Sequence, residues 1–130
     1  MDFVKYISTA HSTYTEAAPL ITKLKLTRGR LTGGQIYFPS GPAGTLHFLA
    51  KIGIHQILPF NTGENFRLDD AVMSFTLGIN LSEQPFVIDL VTWNDSSQYA
   101  HVCTVSFSLM PSLEGDYDLK SLLATLSASK

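Results

Sequence analysis

The stretch FVIDLVTWNDSSQYAHVCTVSFSLMP, Phe86 to Pro111, holds the single tryptophan, the single cysteine and one of the four histidines of a 130-residue chain. Phe86, Ile88 and Leu90 alternate on its first half. Cys103, Val105, Phe107 and Leu109 alternate with Thr104, Ser106 and Ser108 on its second. Successive side chains of an extended strand point to opposite faces, so each half reads as a strand with one apolar face, the two joined through the polar WNDSSQY. Cys103 falls on the apolar face.

The same period of two extends backwards to Leu24. In LKLTRGRLTGGQIYF, Leu24 and Leu26 alternate with Lys23 and Lys25, and Ile36 and Phe38 alternate with Gln35 and Tyr37 after Gly33-Gly34, a pair that marks a bulge or turn. FPSGPAG, Phe38 to Gly44, carries two prolines and two glycines and breaks any strand ladder. TLHFLAKIG resumes with Leu46, Phe48, Ala50 and Ile52 on one face and His47, Leu49 and Lys51 on the other. IHQILPF sets Ile54, Gln56, Leu58 and Phe60 in register up to Pro59, NTGEN turns, and AVMSFTLGI places Met73, Phe75, Leu77 and Ile79 on one face. About seven or eight short strands separated by Gly, Pro and Asn turns predict an all-β fold, an antiparallel two-sheet β-sandwich of jelly-roll or immunoglobulin-like type.

Two flanks complete the expected organisation. Residues 1–20 are polar and Ser/Thr-rich, with Phe3, Val4, Tyr6 and Ile7 as scattered anchors, and read as an extended N-terminal arm that docks on a partner. Residues 21–112 form the sandwich. In 113–130, Leu119, Leu122, Leu123 and Leu126 follow Asp116 at helical spacing and predict a short amphipathic C-terminal helix, a second device for association.

Composition narrows the function classes. Nine basic and eleven acidic residues give a net charge of −2, and charged residues are 15% of the chain, against about a quarter in typical domains. A lone cysteine makes no intramolecular disulfide and no zinc-type spacing, so the fold rests on packing. The first residues have no basic segment followed by a long apolar one, and no apolar run approaches the roughly 18 residues of a membrane span. Synthesis in the cytoplasm is the expectation.

Each chemical reading meets a simpler alternative. A Cys103–His101 nucleophile pair has no orienting carboxylate on its face, and a core thiol explains Cys103. His47, His55 and His101 lack metal-ligand spacing, and in a strand Asp69 and Asp70 would point apart. Gly41-Pro-Ala-Gly44 is no phosphate loop, since it opens a strand. No catalytic residue, metal or cofactor is expected. KLKLTRGR gathers Lys23, Lys25, Arg28 and Arg30 into a basic surface, but without interleaved aromatics a charged, aggregation-blocking edge is the simpler reading, and nucleic acid is not an expected partner. Trp93, Asn94, Asp95 and Tyr99 are the kinds of residue that stack on and hydrogen-bond a sugar, which makes a carbohydrate-binding module the alternative function. The structural reading is a turn capped by Asn94 or Asp95, with Trp93 packed over the end of the sandwich.

Between Leu24 and Pro111, the glycine-ended strand, FPSGPAG, GIHQILPFN, and the TWND turn followed by the histidine that opens HVCTVSF resemble small β-sandwich structural proteins of tailed-phage virions. The resemblance carries over fold-bearing positions: Pro39, Gly41 and Gly44, then His55, Gln56 and Pro59, then Trp93, Asn94 and His101. It implies a non-enzymatic protein of the virion that decorates or cements a capsid, with the major capsid protein and further copies of itself as partners, and no membrane.

Overall fold

The computed structural model describes residues 1–59, 61 and 63–111. Eight strands run in order: β1 (Asp2–Thr9), β2 (Leu20–Lys25), β3 (Gly29–Phe38), β4 (Leu46–Ile52), β5 (His55–Leu58), β6 (Ala71–Leu81), β7 (Val87–Asn94) and β8 (His101–Met110). They build two antiparallel four-stranded sheets, ordered β1-β8-β3-β6 and β2-β7-β4-β5. Every connection crosses between the sheets except the β4–β5 hairpin. The expected C-terminal helix lies outside the described residues.

Alternation decides which side chains enter the layer between the sheets. Cys103, Val105, Phe107 and Leu109 of β8 are buried while Thr104, Ser106 and Ser108 face outward, and Phe38, Phe48, Leu31, Ile36, Leu46, Ile88 and Leu90 belong to the same apolar cluster. Burying each large side chain stabilises the fold by about 1.5–3 kcal/mol, and no disulfide supplements it. Beside Gly33-Gly34 the register of β3 shifts against both neighbours between Leu31 and Gly33. Gly34 passes so close to β8 that a Cβ there would run into the Ser106 carbonyl oxygen, which is why a glycine occupies this bulge.

Two sequence expectations are corrected. Residues 1–20 are not an arm outside the sandwich: β1 pairs with β8 over its whole length, from Asp2↔Ser108 to Thr9↔His101. Phe3, Val4, Tyr6 and Ile7 looked irregular as one set, yet they alternate like any strand. Ile7 is buried and Phe3 packs on the core, whereas Val4 and Tyr6 face outward. Ile54 does not continue the alternation of β5 either. It sits with Gly53 in the two-residue turn between Ile52 and His55 and is 90% exposed, because the chain must reverse there.

Cys103 lies fully inside, and burial pushes its thiol up to about 12. In native protein at pH 8, Cys103 should therefore react with a thiol reagent only slowly, and readily after denaturation. Rapid labelling of the folded chain would contradict the facing of β8.

Candidate interaction surfaces

The polar centre of the opening stretch folds as a capped turn. The buried Asn94 side chain accepts from the Ser96 backbone N–H (2.9 Å) and donates to the carbonyl oxygens of Tyr99 (2.9 Å) and Thr9 (3.1 Å). One amide thereby closes its own turn, holds the β7–β8 loop and ties it to the end of β1. Alongside, the Thr9 and Thr92 hydroxyls meet at 2.8 Å, joining the two sheets.

Trp93 departs from expectation in place. It packs on the outer face of the second sheet rather than over the end of the sandwich, with Leu49, Val91 and Tyr14, the last supplied by the connection from β1 to β2. His47, its cross-strand neighbour, stacks on it with ring centroids 4.8 Å apart and planes 7° off parallel. His47 Nε2 donates to Asp95 Oδ2 (2.6 Å), and Nδ1 lies 2.7 Å from the Asn65 side-chain amide. Both ring nitrogens are engaged. Of the four candidate sugar-binding residues, Trp93 is 4% exposed and Asn94 3%, so only Asp95 and Tyr99 reach solvent. Trp93 therefore leaves little ring surface for a sugar to stack on. The sequence carried a signal for this covered outer face, since Leu49 and Val91 are apolar at outward positions.

The FPSGPAG loop is held by Asp69, whose Oδ1 accepts from the backbone N–H groups of Gly41 and Ala43, both at 2.9 Å. Those two bonds hold its carboxyl below the usual 3.8. Gln56 plays the matching part after β5, donating from Nε2 to the carbonyls of Pro59 and Glu64 at 2.8 Å each. Asp69 and Asp70 thus lie in a loop, not a strand. Among the described residues, no three His, Cys, Asp or Glu side chains gather in a group able to hold a metal, and no helix is long and apolar enough to cross a membrane.

The four basic residues do not form one surface. Lys23 and Lys25 point outward from the edge of the second sheet, with Lys23 in an ion pair to Asp89 at 2.6 Å. Arg30 lies on the first sheet, where Nη1 donates to Asn80 Oδ1 (3.0 Å), and Arg28 is in the turn between. The candidate helix leucines Leu119, Leu122, Leu123 and Leu126 are outside the described residues.

A surface that sequence reading missed is the outer face of the first sheet. Strand register lines up Tyr6, Thr104, Tyr37 and Val72 in one row across all four strands, and Val4, Ser106, Gln35 and Ser74 in the next. Tyr6 is 63% exposed, Val72 60% and Val4 61%. Asp2 and Arg30 are the formal charges among the described outward positions of this face. Depletion of charge together with exposed tyrosine is the composition of an interface core. In sequence, Tyr6 falls in the expected arm and Tyr37 in a separate strand, and only strand order brings them together. No protein-family model matches the chain, and none of the curated proteins or solved structures matches it significantly.

Replacing Asn94 with Ala should lower stability by about 1–3 kcal/mol, because it strands buried partners of the amide; an unchanged urea midpoint would contradict its role. For Asp69, a lowered folded-state pKa means stabilisation that is present above the unfolded value and lost as pH falls through the folded one. At pH 7 wild-type protein should melt above Asp69→Asn, and the gap should close as the pH drops below 3.8. A gap independent of pH would show that the carboxylate charge is not what holds the loop.

Proposed function

We propose that this chain is a non-enzymatic structural protein of a virus particle that seats on the major capsid protein and stabilises the shell through capsid and homotypic contacts. The observation that carries the reading is the charge-poor outer face of the first sheet, with Tyr6, Thr104, Tyr37 and Val72 in one row. Such a face suits docking on another protein far better than holding a small polar ligand. The strand order, with sheets β1-β8-β3-β6 and β2-β7-β4-β5, is that of a jelly roll, an architecture used by capsid and lectin domains. Architecture does not choose between those uses, so the choice rests on the sites. Of the residues a lectin would need, Trp93 is covered on the outer face of the second sheet by His47 and Tyr14, and Asn94 is occupied in holding the β7–β8 turn.

Weak contacts of this kind suffice on a particle, because the first seated copies raise the effective concentration for the rest. The host cytoplasm is the place of synthesis and the virion the destination.

Tyr6→Lys/Tyr37→Lys places two charges on the docking row, at side chains already in solvent. The melting temperature should stay within a few degrees of wild type while incorporation into particles, read by co-sedimentation with purified capsids, falls sharply. Undiminished incorporation would exclude this face as the docking surface.

A further inference from the structure

Each sheet has two edges, and three of the four are protected against pairing with a foreign strand. β1 carries Asp2 and Lys5, β2 carries Lys23 and Lys25, and β5 is only four residues long. Charge and shortness are the usual means by which proteins blunt an edge. β6 has neither. Its eleven residues, AVMSFTLGINL, contain no charge and no proline, and among the described residues β3 is its one strand neighbour. The core beneath it is also open: Met73, Phe75, Leu77 and Ile79 point inward but are only partly buried. Between β6 and the opposite sheet, a cavity of about 530 Å³ is lined by Ile57, Leu58, Pro59 and Phe66 on one side and by Thr76 to Ile79 on the other.

We propose that β6 pairs antiparallel with β6 of a second copy, about a two-fold axis through Thr76 and perpendicular to the first sheet. Strands so paired place residues of like facing opposite one another. Phe75 then meets the partner's Leu77, Met73 meets the partner's Ile79, and on the outer face Ser74 meets the partner's Gly78. Apolar side chains face apolar ones throughout the inner row, and the charge-free strand brings no like charges together. The backbone N–H and C=O groups that residues 73–79 turn away from β3 find partners, and each copy closes the open side of the other. The first sheet becomes one eight-stranded surface that carries two copies of the tyrosine row.

The proposal deepens the homotypic contacts of the proposed function and rests on that part of it. Its test uses free full-length protein, so failure here leaves the capsid-docking test standing. Sedimentation at micromolar concentration should give the dimer mass for wild type. Thr76→Lys alters an exposed side chain and sets two lysines opposite each other, so the dimer dissociation constant should rise at least about tenfold with the melting curve of the dilute protein unchanged. Ser8→Lys, exposed on the same face but on β1 at the opposite edge of the sheet, should leave dimerisation intact. Hydrogen exchange should show the outward amides of β6 protected in wild type and released in Thr76→Lys. A monomeric wild type, or a dimer indifferent to Thr76→Lys, overturns the proposal. So does a monomer whose β6 amides are protected until residues 112–130 are removed, which would assign the edge to the chain's own C-terminal segment.

Discussion

The packing of Phe38, Phe48 and Phe107 between two four-stranded sheets is the constraint on which the rest depends. With a single buried cysteine there is no covalent staple, so the chain folds only if each strand commits one face to that layer. The buried polar groups follow the same rule. Thr9 meets Thr92, and Asn94 meets Thr9, Ser96 and Tyr99, so that among the described residues the end of the sandwich closes without an unpaired buried polar side chain.

Once the inner faces are spent on the core, the outer faces and edges are free to differ, and they do. The second sheet is covered at its β4–β7 centre by Tyr14 and the His47–Trp93 stack, with ion-paired Lys23 and Asp89 toward its edge. The first sheet presents hydroxyls, tyrosines and valines to the outside with little charge. This asymmetry, more than any cluster of reactive groups, distinguishes the molecule. It favours a protein whose work is to bind other proteins.

Much of this was legible in the sequence because period-two alternation is a direct physical signature of a half-buried strand. Cys103, the Gly33-Gly34 bulge and the capped turn at Asn94 were all read from local residues. What failed was non-local. β1 looked like an arm because its pairing partner, β8, lies about a hundred residues away in the chain, and a two-face strand with Val4 and Tyr6 outside resembles scattered anchors until that partner is known. The Tyr6–Tyr37 row, the covering of Trp93 by His47 and Tyr14, and the separation of Lys23 and Lys25 from Arg30 all depend on which strands became neighbours. Local pattern does not encode that choice.

Electron microscopy of particles assembled with and without this protein tests the central claim most directly. The account predicts extra density of two-sheet β-sandwich shape on the shell of particles that contain the protein, oriented with the outer face of the β1-β8-β3-β6 sheet against the major capsid protein. Identical maps for the two preparations, or density at the shell contacting it through the β2-β7-β4-β5 sheet, would contradict it.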